Sequence, residues 1–378
     1  MLYADGLHDD TLAIQQMLDK RGIVTLENPG TYLITKTLII HSNTRFVLSP
    51  GAHLILGDNT RCSIIQNEGF ATGNRDENIE IVGGIWDGNC DGQGLDAVYE
   101  AEHREDQPYS VDLFKGKLIR FAHINNLFLQ KMTVKNPVSY GIQIADAVGF
   151  TVRDMYFDYN WHFGTADGVH INGPSYNGVI ENCYGTTNDD MVALTTIDEL
   201  HAEVSKGEIV NVTIRNVRAK NGFSGIRLLS AGDCPLREVY INGVYGDYRH
   251  NAVLVSHHYT RPNTPIWFDD IIIENVSASK TVKPLPDDCF TLWENNVIEE
   301  LPLIWVEEGV NCGNMAIRNI RRVENAVTNG ALIQIDKTAK IERLIIENVS
   351  QKILSDCNPP LIINEGTIDN YIEEKVER

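Results

Sequence analysis

A chain of 378 residues with 43% hydrophobic content can build a large core, and its net charge of -20 excludes the basic footprint that nucleic acid or an anionic membrane surface requires of a partner. No run of 18 apolar residues occurs, so no membrane-spanning helix is expected. Seven dispersed cysteines, odd in number and without a Cys-x-x-Cys pair, fit neither a disulfide framework nor a zinc site.

The fold signal begins within ten residues of Met1 with no basic-plus-apolar leader before it, so the chain reads as cytoplasmic, or as secreted or periplasmic with its signal peptide removed. Residues 9–22, DDTLAIQQMLDKRG, place Leu12, Ile14, Met17 and Leu18 at helical spacing, with Asp at the start and Gly at the end. That predicts one amphipathic helix covering the open end of a larger structure downstream.

Beyond this helix the chain is repetitive. Nine phrases share an aliphatic pair at alternate positions and a polar residue, often Asn. Their anchors are Ile81, Leu129, Val152, Ile180, Ile214, Ile241, Ile273, Ile317 and Ile346, separated by 23 to 48 residues. Period-two alternation means strands rather than helical repeats. A strand recurring at such an elastic interval predicts a parallel β-helix whose coils stack at roughly 4.8 Å and whose loops grow at the corners. The Asn two residues past five anchors (Asn182, Asn216, Asn275, Asn319 and Asn348) would stack as an amide ladder at a bend. Residues 89–110 and 195–208 read as polar excursions beside the solenoid. The expected architecture is therefore all-β: a single-domain right-handed parallel β-helix of about ten coils over 1–378, with an N-terminal capping helix. Its parts are a cap over 1–25, coils over about 26–350, and a C-terminal tail or cap over 351–378.

The chemistry-bearing residues lie mid-chain. Asp167 sits just past the small-residue turn in GTADG, and Asp189 and Asp190 come 22 and 23 residues later in TTNDD, about one coil on. Residues one coil apart lie side by side, about 5 Å between strands, so the three carboxylates converge if the turn sits at Asp189. Converging carboxylates repel, and the least solvated keeps its proton near neutral pH, as an acid catalyst must. Acid and base roughly 6.5 to 9.5 Å apart would suit inverting glycoside hydrolysis. His170, between Val169 and Ile171, is expected to project outward on the cleft side. Arg227, between Ile226 and Leu228, is expected either to bind substrate oxygens or to pair with an acidic neighbour. His257 and His258 place at least one imidazole at the site, and Trp161 is either a sugar platform or a buried indole. Trp86 reads as core. No nucleotide, metal or nucleophile motif is present, so no cofactor and no metal are expected.

The phrases DGLHDDTLAIQQMLD, GGIWDGNCDGQG and TADGVHI, with NDDMVAL downstream, together resemble the pectate-lyase-like β-helix superfamily, and within it glycoside hydrolase family 28, the polygalacturonases, over roughly residues 5–230. The resemblance implies Asp-based inverting hydrolysis of a polysaccharide, pectin in that family, with Asp189 as general acid and Asp167 and Asp190 activating water. The chain departs from the family pattern at three places. Asn-Thr-Asp is Thr165-Ala166-Asp167 here, Gly-His-Gly gives way to Phe223 and Ser224, and the Arg-x-Lys pair that holds the substrate carboxylate becomes Leu254 and Ser256. The resemblance thus implies a carbohydrate substrate without the uronate clamp. Two alternatives share the scaffold: a polysaccharide lyase or epimerase, and a non-enzymatic glycan-binding tail or adhesin. Oligomeric state is left open.

Overall fold

A computed structural model describes residues 2–94, 116–197, 204–230, 233–256, 267–285, 289 and 300–377. Nearly every element is a strand, and every strand pairs in parallel with the strand one coil away. The nine anchors expected to stack do so residue for residue, from Ile81 beside Leu129 through to Ile317 beside Ile346. All nine are fully buried. The column continues upstream through Phe46 and Val24 and ends downstream at Glu373, giving twelve stacked positions. The chain is a parallel β-helix whose interior is this aliphatic column and its neighbours.

The coil turns at residues in left-handed conformation. Asn182, Asn216, Asn275, Asn319 and Asn348 all have φ between 53° and 60°, a region that Asn tolerates better than other residues with a Cβ. Direct amide contacts join Asn216 Nδ2 to Asn182 Oδ1 at 3.0 Å and Asn348 Nδ2 to Asn319 Oδ1 at 2.8 Å. The ladder is interrupted where Gly243 (φ 92°) takes the same bend without a side chain; Asn275 donates instead to Asn242. A second ladder, unforeseen in the sequence, joins Asn126 to Asn78 and Asn78 to Asn43.

The helix Thr11–Leu18 covers the first coils, with Ile14 and Leu18 buried in the core. Leu12, expected on the apolar face, is 70% exposed, because a two-turn helix lying on one coil has room for only a narrow buried stripe. Gln15 satisfies the strand edge beneath: its Oε1 accepts from Ile39 N at 2.8 Å and its Nε2 donates to Ile39 O at 2.9 Å. A side chain thus replaces the missing neighbouring strand. Asp10 does not cap the helix through its carboxylate, which accepts instead from Tyr3 N and Ala4 N.

Coils extend further than the expected 26–350. Pairing begins with Asp5–Asp9 on Gly30–Ile34 and continues with Gly22–Leu26 on Thr44–Leu48, and the expected tail holds strands Ile362–Asn364 and Thr367–Glu377, the latter on Lys340–Ile353. Their charged, mostly exposed residues hide them from an aliphatic-pair search. Of the two excursions, residues 95–110 and 198–203 lie outside the described residues. Trp86 is fully buried, as expected, and none of the seven cysteines is in a disulfide.

Candidate active site

One face of the solenoid has an inward column that runs Ile119, Ile142, Val169, Val192, Ile226, Val253, the first three at the starts of long strands and the last three in short ones. Two residues before each inward residue the chain enters the face from a turn, and these entry positions are Lys117, Tyr140, Asp167, Asp190, Ser224 and Asn251. Backbone bonds fix their stacking: Gly141 N donates to Asp167 O, and Gly168 N to Asp190 O. Asp167 and Asp190 are therefore neighbours by coil geometry alone.

Asp189 joins them through a local turn. Thr187 Oγ1 donates to Asp189 O at 2.9 Å and Asn188 Nδ2 donates to Phe163 O at 2.9 Å. The strand proper begins only at Asp190. Asp189 thus escapes the alternation that would send consecutive strand residues to opposite faces. One oxygen from each of Asp167, Asp189 and Asp190 lies within 4.8 Å of the others. This is tighter than the roughly 6.5 to 9.5 Å between carboxyl groups usual in inverting glycosidases.

Asp167 and Asp190 are buried, and Asp189 keeps partial exposure within a densely packed wall. Loss of hydration, then repulsion from Asp190 and Asp167, holds the Asp189 carboxyl well above the usual carboxylate range. Burial raises Asp190 as well, but Arg227 and the Ser224 hydroxyl oppose the shift. Arg227 Nη1 lies 3.6 Å from Asp190 Oδ2, and its Nε donates to Ser256 Oγ at 3.2 Å. Asp167 accepts from Asp190 N at 3.0 Å through Oδ1 and faces His170 Nδ1 at 2.5 Å through Oδ2. Of Asp189 and Asp190, Asp189 is the carboxyl more strongly favoured to carry a proton. Oxygens so placed match a hard cation by distance, but His170 and Arg227 already hold two of the carboxylates, and no metal ligand is assigned here.

The other expected residues divide. Arg227 is at the site, with its side chain 18% exposed. His170 projects outward but is only 3% exposed, stacked on Tyr140 with ring centroids 3.9 Å apart, so its reach is toward Asp167 rather than into an open cleft. Trp161 is 5% exposed and packs with Phe223 and Cys289, with the Arg249 guanidinium 5.4 Å from its ring. Its indole is buried in this structure rather than offered to solvent. His257 and His258 lie outside the described residues. Tyr140, Gln143, Asn172 and Arg120 escape a reading of the sequence alone. Arg120, Gln143 and His170 each come directly after the inward aliphatic of successive coils, an offset visible in IRFA, IQIA and VHIN once the coils are aligned.

No family model and no curated protein sequence matches the chain. Solved structures do. The chain superposes on the family 28 exopolygalacturonase of Yersinia enterocolitica with a TM-score of 0.60 at 16% identity, over 98% of this chain and 76% of that one. The fold is the parallel β-helix that this enzyme also has. The endo-xylogalacturonan hydrolase of Aspergillus tubingensis gives a TM-score of 0.61 at 15% identity, over 96% of this chain and 95% of that one. PfbA, a surface adhesin of Streptococcus pneumoniae, gives 0.63 at 16%, over 97% and 91%. Hydrolases and an adhesin share the scaffold equally well, so the likeness carries the fold alone.

Proposed function

We propose that the chain is a glycoside hydrolase that cleaves a polysaccharide, or oligosaccharides derived from one, with inversion at the anomeric carbon. The carrying observation is the close gathering of Asp167, Asp189 and Asp190, in surroundings that push the Asp189 carboxyl well above the usual carboxylate range. A groove that only bound glycan would have no use for three mutually repelling carboxylates, whose clustering costs stability. In the proposed step Asp189 gives its proton to the leaving glycosidic oxygen as the C–O bond breaks. Water attacks the opposite side of the anomeric carbon and passes its proton to the carboxylate pair. Oxygens no more than 4.8 Å apart can share one water at ordinary hydrogen-bond length, so Asp167 and Asp190 hold the nucleophile together. Arg227, partly exposed beside them, contacts substrate oxygens.

The reading is tested by incubating the protein with a panel of neutral and acidic glycans. New reducing ends are expected without the 235 nm absorbance of unsaturated uronate, and proton NMR of the first product is expected to show the inverted anomer. Absorbance at 235 nm would indicate a lyase. Retained configuration would recast one of the close carboxylates as a nucleophile, and binding without cleavage across the panel would favour an adhesin.

A further inference from the structure

Arg120, Gln143 and His170 occupy one position on three successive coils, and Asn172 lies two residues past His170 on the same strand. Arg120, Gln143, Asn172, His170 and Asp167 are each at most 4% exposed. They are joined end to end. Arg120 Nε donates to Gln143 Oε1 at 3.3 Å, and Gln143 Nε2 donates to Asn172 Oδ1 at 2.9 Å. Asn172 Nδ2 meets His170 Nε2 at 3.3 Å, and His170 Nδ1 meets Asp167 Oδ2 at 2.5 Å.

We propose that Arg120, Gln143 and Asn172 form a one-way hydrogen-bond chain that holds His170 as its neutral Nδ1–H tautomer and so keeps Asp167 the ionised carboxylate of the site. The direction is set by the first member. Arginine has five donors, no acceptor and no accessible neutral form. It therefore demands the oxygen of Gln143, which turns the Gln143 amide nitrogen toward Asn172. Gln143 in turn demands the oxygen of Asn172, which turns that amide nitrogen toward His170. An N–H facing an imidazole nitrogen needs a lone pair there, so Nε2 is bare and Nδ1 carries the hydrogen, aimed at Asp167. Amide orientations and imidazole tautomers are ordinarily ambiguous, but a terminal arginine removes the ambiguity. Protonating His170 would set Nε2–H against Asn172 N–H. Flipping both amides would only move that clash to Gln143 and Arg120.

The charges around His170 do not make this choice by themselves. Lys117, 4.9 Å over the Tyr140 ring that stacks on His170, and Arg227 one face position beyond Asp190 disfavour a second positive charge, whereas Asp167 and Asp190 favour one. The chain tips the balance. Arg120, Gln143, Asn172 and His170 are positioning residues, and Asp167 becomes the member of the carboxylate pair that takes the proton from water. That last assignment rests on the hydrolase reading; the tautomer does not.

Histidine-selective 15N NMR on the intact protein tests the chain without any substrate. His170 is expected to keep an unprotonated Nε2 and an Nδ1–H between about pH 5 and 8. In Arg120→Met the amides are free to turn, and His170 should protonate about one pH unit higher or more. Arg120→Lys, which keeps an obligate donor, should restore the wild-type titration. With an active substrate in hand, the acid limb of kcat should move up with the His170 titration in Arg120→Met while KM stays, a pattern that loss of packing would not produce. Gln143→Met breaks the same chain further on and carries the test if Arg120→Met does not fold. An Nε2–H or an imidazolium in the wild type over this range, or unchanged titration in both methionine variants, would overturn the proposal. The NMR pattern without hydrolysis of any glycan would uphold the chain and remove only the hydrolase reading.

Discussion

At the scale of single residues, Asp189 is held in an electrostatically unfavourable place. Its folded-state pKa is raised above the ordinary 3.8, first by burial and then by its two carboxylate neighbours. A group raised in this way stabilises the fold fully only below its unfolded pKa. That stability is lost as pH rises through the folded value, where the buried carboxyl must ionise or the fold must resist it. Asp189→Asn removes the titration and keeps the shape. The variant should therefore melt higher than wild type at pH 7, an advantage that fades toward pH 4, as measured by calorimetry across that range. Cleavage should fall about 10²- to 10⁴-fold, since the amide delivers no proton, while glycan binding persists. Retention of more than about a tenth of wild-type kcat would remove Asp189 as the acid. Higher stability with lower activity is the pattern expected where function holds a group in an unfavourable place.

At the scale of elements, legibility in the sequence tracks strand length and repetition. The anchor strands are long, alternate strictly and share one phrase, so all nine stack where the pattern puts them, down to the pairing of Ile180 with Ile214. The candidate face beyond Asp189 is built of strands as short as Asp190–Thr195 and Val253–Ser256, too brief for periodicity to show. The three Asp are legible there through turn chemistry and resemblance. The buried polar chain behind them is not, because Arg120, Gln143 and Asn172 each look like a stray polar residue in an apolar run. Trp161 cannot be placed from sequence because an indole serves equally well in a core and on a platform; the structure buries it against Phe223. The Asn ladder is legible for its hydrogen bonds, but backbone conformation is half of its value. Asn216 has φ 53° and bonds Asn182, so Asn216→Ala loses one hydrogen bond and forces alanine into a left-handed turn. Together these should cost roughly 2 kcal/mol. Asn216→Gly, which relieves the backbone, should cost clearly less, even though glycine offers no more hydrogen bonding than alanine. Chemical denaturation of the two variants separates the effects; equal losses would mean that the ladder bond alone matters.

At the scale of the whole molecule, charge and the missing clamp bear on the substrate in the same direction. The chain carries -20, and the two positions that resemble the family's carboxylate-holding Arg-x-Lys are Leu254 and Ser256. Leu254 is buried beside Arg227 in register, and Ser256 accepts from Arg227 Nε, so the nearby guanidinium is already committed to Ser256 and Asp190. A uronate carboxylate desolvated at this place without a cationic partner would cost several kcal/mol, enough to weaken binding about a hundredfold. Long-range repulsion should add to this. A polyanion approaching a strongly anionic protein is slowed, and the slowing is relieved as the screening length falls from about 10 Å at 0.1 M salt to about 3 Å at 1 M. The expected outcome is a kcat/KM on galacturonate oligomers at least about a hundredfold below that on neutral glycosides of matched length. The charged substrate should gain rate with added salt while the neutral one stays flat. A preference for galacturonate would reverse the argument and make Arg227 the replacement clamp. Arg227→Ala would then have to abolish that preference while sparing neutral substrates, whereas in the reading favoured here it lowers activity on both, through the loss of the cation beside Asp190.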